Sequence, residues 1–421
     1  MNQIRNIKGT HDILPKDGIK WKKLESIVNK VCSLYGYREI RTPIFEETNL
    51  FLRSVGEDSD IVTKEMYTWD DLDGKSLTLR PELTASIARS YIQHNLGNES
   101  PIQRLFYIGP VFRRERPQKG RQRQFHTFGL EAFGSSNPEQ DAEIISVAWN
   151  IIIECGLSKD TFLNLNSIGS KECRLTYREA LKDFIYPNLN SFSEISKKRF
   201  ITNPLRILDT KSEKEQKILE NAPNISNFYT EDDKIHFQTL QENLIAMEIP
   251  FTINEKLVRG LDYYSKTVFE FKSIKLGSQD ALLGGGRYDG LVETLGGKPT
   301  PGVGFGAGME RFIIAMDEFQ NNDSYLNPDI YTICMEPEGL AIMQKISNKL
   351  RGEGFLVVSD TLRRSMRSQL REANKLGSKF ALIIGEKELK EGKISFKDLK
   401  KGVQNTILQS DVLNYFHNLT N

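Results

Sequence analysis

The sequence predicts a mixed α/β protein of two or three domains, and three observations predict it. A chain of 421 residues is longer than one hydrophobic core usually serves. Two aromatic-rich runs, residues 104–112 and 125–133, read as strands joined by a long basic loop. Beyond residue 330, strands and helices alternate, the pattern of a small α/β domain with a mainly parallel core.

Composition narrows the class. Charged residues make up 27% and hydrophobic residues 38%, the balance of a globular chain rather than a disordered one. No apolar run approaches the ~18 residues that a bilayer span needs. The opening MNQIRNIKG lacks the apolar core of a signal peptide, so a cytoplasmic location and no membrane contact are expected. Cys32, Cys155, Cys173 and Cys334 are scattered without a CxxC pair, and the five histidines show no HExxH spacing. Reduced, buried thiols are expected, with neither disulfides nor a structural zinc. Net charge is only +1, so the whole chain does not attract nucleic acid strongly. Residues 326–421 carry 15 Lys and Arg against 11 Asp and Glu, a local excess of +4. That excess suits a docking surface for RNA and equally suits ordinary solvated faces.

The elements follow in order. In residues 16–35, Trp21, Leu24, Val28, Val31 and Tyr35 recur at helical spacing, and Gly36 suits a C-cap. A short strand over 38–42 ends at Pro43. Residues 76–80 read as a strand. Pro81 then opens a helix with Glu82 and Thr84 in its first turn and Ile87, Ala88, Tyr91 and Ile92 on its inner face. An acid in a first turn is favoured on dipole grounds alone.

The long hairpin holds the densest chemistry. Arg113, Arg114, Arg116, Lys119, Arg121 and Arg123 occupy its loop against the single acid Glu115. Alternation along the second strand puts Phe125, Thr127, Gly129, Glu131 and Phe133 on one face. His126, Phe128, Leu130 and Ala132 then face the core. A strand glutamate beside arginines fits a ligand that carries both a cation and an anion. Guanidinium forks suit carboxylate and phosphate, and Phe125 offers a ring to a base. A solvated charged hairpin would show the same run.

Asn137 and Pro138 open a helix that closes at Gly156, with Ile144, Ile145, Ala148, Ile151 and Ile152 on its apolar face. Residues 161–168 read as a strand. From about 170 to 247 the chain is polar and helical, with the charged run KSEKEQK at 211–217. Strands resume at Phe251, and 267–271 is aromatic and β-branched. LLGGGRYDGL at 282–291 allows close backbone approach or positive φ. PGVGFGAGMER at 301–311 has glycine at 302, 304, 306 and 308, which strips one face of a strand and lets a flat ligand lie against it. Arg311 follows in the first turn of a helix over 309–316. No GxGxxG fingerprint or Walker A motif occurs, which disfavours a Rossmann or P-loop enzyme. Residues 321–328 read as a linker. Strands at 330–335, 355–359 and 380–384 follow, then two short strands and a last helix.

Several of these stretches carry a resemblance. FRRERP, followed by basic residues and a Phe-rich strand ending in Glu131, resembles motif 2 of class II aminoacyl-tRNA synthetases. The first helix, strand and Pro43 resemble motif 1, which builds the dimer interface in that class. An ordinary helix packed on a sheet has the same spacing. PGVGFGAGMER resembles motif 3. KGTHDILP (8–15) and LVRGLDYYSKTVFEF (257–271) are similar to stretches peculiar to the histidyl-tRNA synthetase family. The resemblance runs from the first residues into the last hundred.

It implies a fold and an activity. The fold is a class II antiparallel sheet flanked by helices over 1–325, an α+β catalytic domain. A helical insertion at about 170–250 leans over the tRNA acceptor arm in bacterial members. A C-terminal α/β anticodon-binding domain spans 326–421. The activity joins L-histidine to ATP as histidyl-adenylate, with Mg²⁺ on the phosphates, and then transfers histidine to the 3′ end of tRNA(His). The active form would be a homodimer.

The resemblance also implies roles. Arg113 meets the carboxylate and α-phosphate, and Arg259 meets the α-phosphate from the other side; these two are the catalytic pair. Glu131 and Tyr264 bond the imidazole, with Tyr263 and Tyr288 as walls. Glu82 and Thr84 face the substrate amino group. Thr127 stands where the family commonly has a glutamine for that group. Phe125 stacks adenine, while Arg121 and Arg311 hold phosphates. No site residue is expected to be a dedicated metal ligand. The other reading is a histidine-binding regulatory subunit of ATP phosphoribosyltransferase. Such paralogues generally lack the anticodon domain and lose parts of the motifs that are intact here.

Overall fold

The computed structural model describes residues 3–56, 59, 61–118, 120–259, 263–316 and 327–420. Lys119, residues 260–262 of RGLDYY and most of the expected linker, 321–326, lie outside the described residues. Contacts divide the chain into two compact units, Met1–Glu318 and Phe319–Asn421.

In the first unit the strands are β1 (Arg38–Glu39), β2 (Phe45–Glu47), β3 (Tyr67–Asp70), β4 (Ser76–Leu79), β5 (Gln103–Phe112) and β6 (Gln124–Phe133). They continue as β7 (Thr161–Ser167), β8 (Phe251–Ile253), β9 (Ser265–Ser273), β10 (Ala281–Arg287) and β11 (Gly302–Gly308). Eight of them form one sheet in the order β1-β5-β6-β11-β10-β9-β7-β8. Its interior pairs are antiparallel, and only the edge pairs β1–β5 and β7–β8 are parallel. The strands β2, β4 and β3 make a small separate antiparallel sheet.

Period-2 alternation sorts β6 between two faces as expected, and the structure puts an apolar cluster on each. Phe128, Leu130 and Ala132 join a cluster with helices Pro15–Leu34, Pro138–Glu154, Glu231–Ala246 and Met309–Ala315. Phe133 joins a second cluster with Tyr107, Val268, Tyr288 and residues of helix Lys171–Ile185. The stretch after 170 is helical, as expected. Its last helix, Glu231–Ala246, packs on Pro138–Glu154 and buries Phe237, Leu240 and Leu244 in the first cluster.

The helix ends follow their sequence signals. After Leu34, Gly36 takes φ +77, and its N–H and that of Tyr37 return to the carbonyls of Ser33 and Cys32. The helix Pro138–Glu154 puts Asp141 in its first turn, fully buried against the fully buried Arg287 of β10. Arg287 also donates to the carbonyls of Ser135 (2.8 Å) and Asn137 (3.1 Å) and to Asp289 (3.0 Å). A buried charge needs such a full set of partners.

Several boundaries differ from expectation. The first strand stops at Glu39, and the expected 355–359 strand is Val357–Ser359. Pro81 does not open the third helix, which is Thr84–Gln93. Instead the Glu82 carboxylate accepts from the N–H groups of Thr84 (2.7 Å) and Ala85 (2.9 Å), capping the orphan donors of that turn.

The second unit has β12 (Ile330–Cys334), β13 (Val357–Ser359), β14 (Phe380–Ile384), β15 (Lys393–Asp398) and β16 (Gln404–Leu408), in the order β13-β12-β14-β15-β16. The first three are parallel and the last two antiparallel, with apolar clusters on both faces. All four cysteines are free and buried, and burial pushes the thiols of Cys32, Cys155 and Cys173 up to about 12. Among the described residues no helix is long and apolar enough to cross a membrane.

Candidate active site

The residues singled out from the sequence line one cavity of the first unit. Its deep end is built by β6, by the start of helix Thr84–Gln93 and by the turn after β10. Glu131 on β6 is fully buried. Its Oε1 accepts from Thr84 Oγ1 at 2.7 Å, and its Oε2 accepts from the Tyr288 hydroxyl. Tyr263 packs edge-on to Tyr288, with ring centroids 5.6 Å apart, and lies 4.7 Å from Tyr264. Glu82 and Thr127 complete this end.

The glycine strip of β11 has two jobs rather than one. The expectation was bare backbone for a flat ligand along all four positions. Register sets Gly304 opposite Glu131, and a Cβ there would overlap the Glu131 carboxylate. A Cβ on Gly302 would overlap the Tyr288 ring. Those two glycines therefore make room for the protein's own side chains. Only Gly306 and Gly308 stay open; their nearest neighbours are the Tyr107 hydroxyl at 3.4 Å and the Arg311 stem at 3.8 Å.

Electrostatics divide the cavity. Burial pushes the Glu131 carboxyl up to about 8, although the Tyr288 and Thr84 hydroxyls pull it back. Burial raises Glu82 too, against its two backbone N–H partners. The phenols of Tyr107, Tyr263 and Tyr288 are pushed well above 10, chiefly by burial, so they remain donors. The outer end is cationic. Arg113 donates to the Pro81 carbonyl at 2.9 Å and lies over the Phe125 ring at 5.5 Å. Arg121 pairs with Glu115 at 3.0 Å. Arg259 pairs with Glu270 at 2.8 Å, and a Cβ at Gly284 would collide with its guanidinium. Arg259 Nε is buried with no hydrogen-bond partner among the described residues. Arg311 donates to the carbonyls of Ala281 (2.6 Å) and Gly120 (3.3 Å). Burial and the nearby Arg121 and Arg113 lower its pKa, as expected where like charges await an anion.

Sequence reasoning missed Tyr107, Glu270 and Glu310, which line the same cavity. Tyr107 stands opposite Gly129 and so shares the site face, a signal readable once strand register is known. Glu270 interrupts an aromatic strand. Glu310 accepts from the His126 N–H at 2.9 and 3.1 Å, tying the start of β6 to helix Met309–Ala315.

Comparison with known proteins matches both halves of the chain. Residues 9–312 match the sequence profile described as histidyl-tRNA synthetase, and residues 329–419 match that of an anticodon binding domain. The histidine–tRNA ligase of Chloroherpeton thalassium is 46% identical over 414 residues, 97% of each chain. That of Natranaerobius thermophilus is 47% identical over 399 residues, 94% of each. The crystal structure of apo S. aureus histidyl-tRNA synthetase superposes with a TM-score of 0.83 at 36% identity, covering 98% of this chain and 100% of that one. A Bacillus halodurans structure, described as an ATP phosphoribosyltransferase regulatory subunit/histidyl-tRNA synthetase, shares the fold at a TM-score of 0.65 and 23% identity, covering 89% and 97%. With both profiles matched and the relatives aligned nearly end to end, the chain belongs to the histidyl-tRNA synthetase family.

Proposed function

We infer that this chain acts as a histidine–tRNA ligase, activating L-histidine with ATP and then charging tRNA(His). The observation that carries the reading is one cavity with a buried carboxylate and phenols at one end and arginines at the other, in a chain aligned with such ligases at 94–97% coverage. Pyrophosphate exchange measured with each of the twenty amino acids tests it: only histidine should support exchange.

In this reading the imidazole enters the deep end, against Glu131 and Tyr264, between Tyr263 and Tyr288. Glu82, beside the Thr84 hydroxyl that bonds Glu131, faces the substrate ammonium. Thr127 is too short to replace a glutamine there and leaves space for a water. A ligand without ring nitrogens would leave buried polar groups unpaired, which is the basis of selectivity. Phe125 stacks adenine, and Arg121 and Arg311 hold phosphate oxygens. Arg113 and Arg259, from different elements, flank the α-phosphate. A carboxylate oxygen of histidine attacks the α-phosphorus, the bond to pyrophosphate breaks, and both arginines stabilise the developing charge. The terminal ribose hydroxyl of tRNA then attacks the activated carbonyl, and AMP leaves. No covalent enzyme intermediate is needed.

Among the described residues no group of three or more His, Cys, Asp or Glu could cage a metal. Mg²⁺ would sit mainly on the phosphates with one or two carboxylates. Glu270 and Glu310, both lining the cavity, would hold it, and the ion would neutralise phosphate charge.

We further propose the boundaries 1–325 for the catalytic domain, with the helical insertion at 170–250, and 326–421 for the anticodon reader. A homodimer through the first helix, β1 and Pro43 would cover side chains left exposed nearby, such as Leu34, Ile44 and Phe45. The cytoplasm is the location that goes with a tRNA substrate.

The domain division makes a prediction. Truncation after residue 322 should leave a folded catalytic unit, because the chain divides into separate compact units there. Histidine-dependent exchange should persist at a reduced level. Charging of tRNA should fall much further, and discrimination against anticodon mutants should be lost, since proteins read unpaired bases by stacking and edge contacts. Charging of normal and anticodon-altered transcripts by both forms is the measurement. Equal discrimination by the truncated form would remove the anticodon role from residues 326–421.

A further inference from the structure

Arg259, Tyr263 and Tyr264 all line the cavity, and the described residues there, 257–259 and 263–264, belong to no strand or helix. Such a segment must be held from outside. On its N-terminal side, Asn166 of β7 donates to the carbonyls of Leu257 (3.0 Å) and Glu255 (3.1 Å). On its C-terminal side the holder comes from the helical stretch after 170. Arg174, in helix Lys171–Ile185, donates through Nη1 to the Tyr264 carbonyl at 2.7 Å and to the Gly169 carbonyl at 3.4 Å.

That helix is itself anchored where Arg174 needs it. Ser170 caps it, and Asp233 accepts from the Ser170 N–H (2.8 Å) and hydroxyl (2.9 Å). Backbone bonds join Ile168 to Lys266 (2.7 Å) and Lys266 to Gly169 (2.9 Å). Lys266, two residues after Tyr264, has φ +49, a conformation that persists only where its surroundings over-determine it.

Arg174 is an expensive choice for a plain structural role. Its guanidinium is half-buried and bonds two carbonyls, while Asp233 and Asp289 act on it through space. Replacing buried charge by apolar bulk is often neutral or stabilising, so stability alone does not explain a guanidinium here. Its fork reaches a carbonyl next to two site tyrosines. Arg259 has its own anchor in Glu270. Arg174 also lines a second groove, with Lys171, Arg178 and Arg206, which shares Arg259 and Tyr264 with the main cavity.

We propose that Arg174 is a positioning residue: by fixing the Tyr264 carbonyl from helix Lys171–Ile185, it sets the two tyrosines against the substrate ring and so governs histidine use rather than ATP use. This rests on the ligase reading above. The helical stretch thereby becomes part of the amino-acid site and not only a surface feature.

The test is pyrophosphate exchange by the full-length chain, with histidine and ATP varied separately. Arg174→Met should raise the KM for histidine by about tenfold or more, since small misplacements of positioning groups can cost up to ~100-fold. The KM for ATP should stay within about twofold. Arg174→Lys, which keeps a donor of similar reach, should recover part of the loss. Arg178→Met, on the same helix and groove, should change neither KM. Unchanged histidine KM in a variant that melts as cooperatively as the parent overturns the proposal, and so do equal rises in both KM values. If Arg174→Met fails to fold, Arg174→Lys decides, because it must still show a rise selective for histidine. A parent without histidine-dependent exchange overturns the ligase reading and this inference with it; a normal parent with unselective variants overturns the inference alone.

Discussion

Arg259→Ala should nearly abolish adenylate formation while histidine still binds. The guanidinium is cradled against the backbone at Gly284 and anchored by Glu270 at 2.8 Å, so little reorganisation is needed when charge builds on the α-phosphate. Loss of one such preorganised donor costs about 2.7–4 kcal/mol in the transition state, or roughly 10²–10³ in rate. The variant should still fold, because Glu270 keeps Lys272 at 3.7 Å and is not left as an isolated buried charge. Pyrophosphate exchange gives the rate, and calorimetry gives histidine affinity. Exchange within a few-fold of the parent would show that Arg259 is not half of the catalytic pair.

The second large effect concerns Glu131. Glu131→Ala removes the acceptor at the deep end and strands the Thr84 and Tyr288 hydroxyls, so the histidine KM should rise sharply while ATP affinity changes little. Unaltered histidine binding by calorimetry would make Glu131 a structural residue and misplace the pocket. The same carboxyl has a pH signature in the unliganded protein. Its pKa rises from 4.5 to about 8 through burial. A carboxyl raised in the folded state stabilises it fully below the unfolded value, and that contribution is lost as pH climbs through the folded value. Glu131→Gln carries no such term. The melting temperature of Glu131→Gln minus that of the parent should therefore increase from pH 5 to pH 9. A difference independent of pH would mean that Glu131 is ionised throughout.

Much of this was legible in the sequence because it is local. The core face of β6 follows from its alternation, and the helix ends follow from Gly36 and Pro138. Arg113, Glu131 and Arg311 sit in runs whose spacing carries information. What could not be read depends on which strand lies beside which. Gly304 was read as space for a ligand because nothing in the sequence sets Glu131 across from it. Tyr107 was missed because its site face follows only from pairing with Gly129. Pro81 was given the helix start because the capping reach of Glu82 is a side-chain property that pattern rules do not weigh. Arg174 lies in a polar helical stretch where nothing local distinguishes it from a solvated cation.

The strand order has a consequence for synthesis on the ribosome. β6 ends at Phe133, and its neighbour β11 begins only at Gly302. At 5–20 residues per second, roughly 10–30 s pass between their emergence. During that interval the growing chain displays the hairpin with one long aromatic edge uncovered, the kind of template that invites pairing with another chain. Neither substrate can shield it, since the pocket gains its β11 wall only when that strand arrives. Recovery of the intact protein should then depend on holding factors that mask the hairpin, and the final docking of β11 becomes the event that ends its exposure.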